Sequence, residues 1–112
     1  MSHPQPPFPQ ERPRRFRTTV HGTVFGGREQ LLARLREGDP VRLVADPPGE
    51  GSPGVWVHLA SGEPIGHLPP EVSEWLWSWL AGGGRADAET VHVGGEDEPS
   101  WRRVVLEVRC PE

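Results

Sequence analysis

The chain has 112 residues, with 12 basic and 16 acidic side chains and a formal net charge of −4 at neutral pH. This length predicts one domain with a modest core. The hydrophobic fraction of 34% and the charged fraction of 25% favour a loop-rich globular protein over a disordered one. The acidic balance argues against simple electrostatic wrapping of nucleic acid, because domains that bind phosphates without specificity usually carry excess basic charge.

The composition also bears on the cellular location of the protein. No apolar run approaches the roughly 20 residues that a membrane span needs, and residues 1–13 are polar and rich in proline, so we expect a cytoplasmic protein without membrane contact. The single cysteine, Cys110, has no partner for an internal disulfide, and no Cys or His lies near it at metal-ligand spacing. We expect it to be a small apolar residue at a strand end.

Residues 1–17 carry prolines at positions 4, 6, 7, 9 and 13, a density that opposes both helices and paired strands. We therefore predict a disordered or polyproline-like arm over residues 1–17 and a folded domain over residues 18–110. The arm is positively charged, through Arg12, Arg14, Arg15 and Arg17. It is either a solvated tail without a role or an arm that grips phosphate.

Alternating and β-branched residues predict six short strands, over residues 18–25, 41–45, 55–59, 65–68, 89–93 and 102–110. Helical spacing of apolar residues predicts two helices, over residues 28–37 and 70–81. The composition of residues 46–54 permits only a loop. These elements predict a mainly β (α+β) domain, a small OB-like and partly open antiparallel β-barrel of about six strands with two helices.

Two tryptophans lead to opposite expectations. Trp77 lies off the apolar stripe of the second helix, among Ser73, Glu74 and Ser78, and we expect it to be exposed as part of a contact surface. Trp56 lies on a strand and we expect it to be buried in the core.

The order of several short motifs resembles the HIRAN domain, which is found at the front of helicase-like DNA repair translocases and as a small free-standing protein in bacteria. The resemblance covers residues 18–110, and its motifs stand at residues 18–25, Arg28, 31–35, 38–44, 55–59, 65–69 and 71–72. It implies an OB-like fold and a pocket that reads a DNA 3′ end. In the family that pocket lies between the first strand, the loop before the third strand and a Gly-His-Leu turn.

Carried over by position, the resemblance places His67 at the histidine of that turn, beside Gly66, where it would contact phosphate. Thr18 and Thr19 stand where the family has a basic and aromatic run, and Ser52 stands roughly where it has an aspartate. The chain contains no tyrosine, so the stacking ring of the family is missing. Further candidate phosphate contacts are Arg17 and Arg28.

Each candidate has a structural alternative. His67 is as well explained by a hydrogen bond to a neighbouring carbonyl that holds the turn. Arg28 opposes the helix dipole at a helix start, which favours an outward contact with Glu or Asp.

Catalytic motifs are absent from the sequence. No serine stands on a nucleophile elbow, no phosphate-binding glycine pattern ends in lysine, and no His-Glu spacing suits a metal helix. We therefore expect no enzyme activity, no metal and no cofactor. Two functions remain open. One is a nucleic-acid-binding module that contacts single-stranded DNA or a DNA 3′ end, in DNA repair or processing. The other is a protein-interaction domain that has kept the fold, has lost the DNA-end pocket and contacts its partner through Trp77.

Overall fold

The computed structural model describes residues 7–46 and 54–112. Within them six strands form one antiparallel sheet in the order β1-β6-β5-β2-β3-β4. The strands are β1 (Arg15–Thr19), β2 (Pro40–Ala45), β3 (Val55–Leu59), β4 (Pro64–His67), β5 (Asp87–Val93) and β6 (Val104–Arg109). The helices are α1 (Arg28–Leu31), which continues as a 3₁₀ turn at Leu32–Arg34, then α2 (Pro70–Ala81), and a 3₁₀ turn at Ser100–Arg102. The predicted α+β fold is confirmed.

The sheet curls until its two ends meet at one point. His21, which follows β1, pairs with His67 at the end of β4. The amide of His21 donates to the carbonyl of His67 at 2.8 Å, and the amide of His67 donates back at 2.9 Å. Because this single bridge joins the first and last strands of the sheet, the barrel is only partly closed, as predicted.

The core lies inside this curl. Alternate residues of β3 and β6 point inward and are buried, whereas the residues between them face outward. Leu76 and Trp79 of α2 complete the core from one side. Cys110 is buried at the end of β6, and burial raises the pKa of its thiol to about 11, so it is the inert apolar residue that the sequence predicts.

The first strand begins and ends earlier than predicted. It pairs with β6 from Arg15, opposite Arg109, to Thr19, opposite Val105, and a positive φ of 74° at Gly22 then turns the chain away. Arg15 to Arg17, which the sequence assigned to the arm, therefore belong to the sheet. The arm is also not structureless throughout, since the ring of Phe8 packs against the core.

The first helix is shorter than the predicted span of residues 28–37. After the 3₁₀ turn, Leu35 is extended, with φ −95° and ψ 135°. Asp39 then accepts a hydrogen bond from the amide of Arg36 at 2.9 Å, which closes a turn in place of a further helical turn. The second helix spans the predicted residues 70–81. No helix within residues 7–46 and 54–112 is both long enough and apolar enough to cross a membrane.

Candidate functional site

Three side chains meet near the point where the barrel closes, and we call them the Arg28–Trp56–His67 cluster. The guanidinium carbon of Arg28 lies 4.8 Å from the centre of the Trp56 ring. The ring of His67 meets Trp56 edge to face, with centroids 5.7 Å apart. A cation on one side of the indole and an imidazole on another make a compact polar and aromatic surface.

The sheet explains why these residues meet. Trp56 occupies an outward position of β3, and the antiparallel register places His67 of β4 directly opposite it. Opposed residues of an antiparallel pair project on the same face of the sheet, so the two rings become neighbours. The expectation that Trp56 is a core residue is wrong, because it is half-buried on the outer face and its strand neighbours Val55 and Val57 fill the core.

Gly22 holds the third member of the cluster in place. Its carbonyl accepts a hydrogen bond from Nη1 of Arg28 at 2.9 Å. A side chain at Gly22 would place its Cβ 3.0 Å from Nε2 of His67 and 3.4 Å from Nη1 of Arg28, and the positive φ of 74° also disfavours any other residue. Glycine at this position therefore allows Arg28 and His67 to approach the same point.

The hydrogen bond that the structural alternative for His67 requires is present, and the phosphate contact stays a prediction. Its Nδ1 lies 3.2 Å from the carbonyl oxygen of Leu68 and donates to it in the tautomer that carries a proton there. The ring remains half-buried and lines a cavity. The structural hydrogen bond therefore fixes the ring and leaves Nε2 directed towards Gly22.

Two cavities flank Trp56. The Arg28 cavity, about 310 Å³, is lined by Arg28, Val44, Ala45, Asp46, Trp56, His58 and Pro64. The His67 cavity, about 260 Å³, is lined by Asp46, Gly54, Trp56, His67, Leu68, Pro70 and Ser73. Trp56 and Asp46 line both, so the two spaces share one indole and one acidic residue. The surface can hold flat groups beside the indole and an anion beside Arg28.

Six arginines of the described residues form salt bridges, and Arg28 is among those that do not. Within residues 7–46 and 54–112 no carboxylate forms a salt bridge with it, and the expected outward contact with Glu or Asp is not found there. By contrast, Arg34 pairs with Glu63, and a separate cavity of about 310 Å³ at Arg34 therefore presents a neutralised cation. Arg103 likewise pairs with Glu29 at 2.8 Å. The guanidinium of Arg28 is the better candidate for an anion contact.

Gly66 plays a different part from the one predicted. It is buried, and a Cβ at this position would lie 2.4 Å from the carbonyl oxygen of His21 and 2.7 Å from Cγ1 of Val20. The glycine therefore admits the backbone of the same chain at the barrel closure, not a ligand. The sequence indicated a close approach but not its partner.

Among the residues that the structure describes, the other predicted nucleic-acid contacts are not gathered in the cluster. Thr18 is buried, with 7% exposure, because it points inward from β1. Arg17 is exposed on β1, where its Nε lies 3.8 Å from Oε1 of Glu107. Thr19 is half-buried, with its hydroxyl 3.0 Å from Nε2 of His21. Ser52 lies outside the described residues.

Trp77 is more enclosed than predicted. It is half-buried, packs against the core and donates its indole N–H to the carbonyl of Asp46. Ser73, also expected to face solvent, is buried and donates to the carbonyl of Leu68 at 3.1 Å. Because α2 rests on β2 and β3 along this side, its covered face is wider than the apolar stripe indicates.

The described residues offer no metal centre. Across residues 7–46 and 54–112, no three His, Cys, Asp or Glu side chains are grouped so that they could hold a metal ion. His21 and His67 are neighbours, with ring centroids 6.3 Å apart, but they supply only two imidazoles. Two imidazoles fall short of the three protein ligands typical of a catalytic zinc site.

Comparison of the chain with protein-family models, with curated proteins and with solved structures gives no significant match. The resemblance to the HIRAN domain therefore rests on the ordered sequence motifs alone and stays a prediction. The candidate site rests on the geometry of the Arg28–Trp56–His67 cluster.

Proposed function

We propose that the protein is a non-catalytic nucleic-acid-binding module, similar to the HIRAN domain, that contacts single-stranded DNA or a DNA 3′ end. The observation that carries the proposal is the convergence of Arg28, Trp56 and His67 between two cavities. A role in DNA repair or processing follows only from the resemblance. Arg28 and His67 were predicted from the sequence as phosphate contacts, and the convergence adds an aromatic ring between them.

The chemistry of the cluster suits a nucleotide. A guanidinium presents a planar fork that pairs with phosphate oxygens, and an imidazole adds a donor. Aromatic rings beside a cationic groove are the usual platform for unpaired bases. Trp56 therefore supplies a stacking surface in a chain without tyrosine, and the two cavities supply room on either side of it.

The surface carries few positive charges, and Asp46 lines both cavities. A single-stranded DNA contact that neutralises two phosphates, at Arg28 and His67, gives a slope of roughly −1.4 for log K against log salt concentration. We therefore expect weak binding whose dependence on salt is shallow but measurable.

Fluorescence anisotropy with labelled single strands tests the proposal. We expect saturable binding, with tighter binding to a strand that has a free 3′ hydroxyl than to one with a blocked 3′ end. Equal affinity for both strands with the expected salt slope supports contact with single strands in general. Very weak binding that does not respond to salt overturns the proposal.

Two substitutions locate the binding surface. Arg28→Ala removes a charge-assisted contact and is expected to weaken binding about tenfold. Trp56→Leu removes the stacking surface and is expected to weaken binding about fivefold to a hundredfold. Arg36→Ala is the matched control, because Arg36 is exposed and lines neither cavity. An equal loss in all three variants indicates non-specific attraction and rejects the site.

The alternative, a protein-interaction domain, is favoured by one observation. Trp101, on the 3₁₀ turn before β6, is 55% exposed. Large exposed aromatic side chains are typical anchors of protein interfaces. Loss of a dimer or complex in a Trp101→Ser variant, measured by sedimentation, together with failure of wild-type protein to bind DNA, supports this alternative. The same substitution at Trp77 is less informative, because replacing a half-buried residue also lowers stability.

A further inference from the structure

The turn between the barrel closure and α1, residues 22–27, carries an exposed aromatic ring, and we call it the Phe25 loop. Phe25 is 65% exposed. Its amide donates to the carbonyl of Gly22 at 3.5 Å, and the amide of Arg28 donates to the carbonyl of Phe25 at 3.1 Å. The backbone of Phe25 is therefore tied on both sides to residues of the candidate site.

Arg28 links this loop to the cluster a second time. Its side chain bonds to the carbonyl of Gly22, at the start of the Phe25 loop, while its guanidinium lies over Trp56. One arginine thus fixes the loop to β3. These bonds hold the backbone of Phe25 close to that of Arg28, while the ring is exposed.

The other two phenylalanines behave differently. Phe8 and Phe16 both pack against Trp75, with ring centroids 5.6 Å and 5.3 Å from it. A single exposed apolar side chain needs no explanation on its own. Phe25 merits one because it lies three residues before Arg28, whose guanidinium contacts Trp56 and lines a cavity.

We propose that Phe25 is a second stacking platform, which binds the face of a nucleobase next to the phosphate held by Arg28. This inference rests on the proposed function and extends it by one nucleotide subsite. The ligand chemistry follows from the pairing of a cation with a flat apolar ring, which suits a phosphate joined to an aromatic base. The ring of Phe25 is 65% exposed, so its surface is accessible to a base.

The test compares substitutions in the Phe25 loop by anisotropy with the single strand that wild-type protein binds best. Phe25→Leu keeps an apolar side chain but removes the ring, and is expected to weaken binding about fivefold to a hundredfold. Phe25→Trp keeps an aromatic face and is expected to bind at least as well as wild type. Val24→Ala is the matched control, since Val24 is an exposed neighbour, at 45%, without a ring, and it should leave affinity unchanged.

A strand with abasic sites separates stacking from other effects. It keeps the phosphates and lacks the bases, so Phe25→Leu and wild-type protein are expected to bind it equally. Equal affinity of the two proteins for the ordinary strand overturns the inference and leaves the proposed function intact. A loss of the same size on both strands also overturns it, because the ring would then act on the loop and not on a base. Failure of wild-type protein to bind any strand overturns the proposed function, and the inference with it.

Discussion

Arginine contacts tryptophan in several regions of this protein, and two of these regions differ in what covers them. Near α2, Arg14 lies 5.8 Å from the ring centre of Trp79 and 4.5 Å from that of Phe8. Phe8 packs edge to face on Trp79 at 5.2 Å, and Arg14 donates to the carbonyl of Cys110 at 3.0 Å. We call this group the Phe8 cluster. Every ring in it has a neighbour from its own chain.

In the Arg28–Trp56–His67 cluster, by contrast, the arginine and the tryptophan line cavities. Trp56 lines two cavities, whereas Trp79 is buried, with 3% exposure. A contact between cation and ring is therefore no evidence of a binding site by itself. Neither Arg28 nor Arg14 has a carboxylate partner within residues 7–46 and 54–112, so the accompanying cavities are what distinguish the candidate site from a structural cluster.

The largest expected effect comes from a substitution at the barrel closure that supports the Arg28–Trp56–His67 cluster. Gly66→Ala forces a Cβ against the carbonyl of His21, where only 2.4 Å is available. We expect the free energy of unfolding to fall by about 3 kcal/mol and the protection of the His67 amide from hydrogen exchange to fall with it.

Gly54→Ala is the control for this change. A Cβ at Gly54 would lie 4.0 Å from Cβ of Asp46, which is an ordinary contact. Chemical denaturation of both variants measures the difference. Equal stability of the two would contradict a tight closure at the bridge between His21 and His67.

A somewhat smaller effect is expected from a substitution that disrupts only the Phe8 cluster. Phe8→Ala removes ring contacts to Trp75 and Trp79, and we expect the free energy of unfolding to fall by about 2 kcal/mol. DNA affinity at a temperature where the variant is folded should not change. Phe25→Ala is the control for stability, because its exposed ring contributes little to the fold. A loss of DNA affinity in Phe8→Ala would show that the two regions are not independent.

The smallest expected effect tests whether His67 contacts phosphate. An imidazole that contacts phosphate supplies one hydrogen-bond donor, so we expect His67→Ala to weaken DNA binding about threefold. Fluorescence anisotropy with the same single strand measures the change. His92→Ala is the control, since His92 contacts Glu98 at 2.9 Å and lines neither cavity. Equal affinity of His67→Ala and wild-type protein would count against a phosphate contact at His67.

Much of the fold was predictable because local patterns agree with the final structure. The alternation of residues 55–59 and the apolar spacing of residues 70–81 each place an element where the structure has it. The first strand was misplaced, since the turn-forming glycine at Gly22 stands inside a run of β-branched residues and pairing with β6 decides where the strand lies. Pattern alone does not reveal which segment a strand will pair with.

The candidate site was only half predictable for the same reason. Arg28 and His67 are residue types that bind anions, so the sequence pointed to both. Trp56 was assigned to the core, because alternation identifies two faces of a strand without showing which face is covered.

The sequence by itself determined the local elements and special residues of this protein: short strands, one well-defined helix, a glycine beside a histidine and a single inert cysteine. Local propensities and the spacing of apolar side chains carry that information. Only the tertiary structure decided that Gly66 admits the backbone of His21 and that Arg28 reaches Trp56. These contacts join residues far apart in the chain, and they depend on how the sheet curls and closes, which no local pattern specifies.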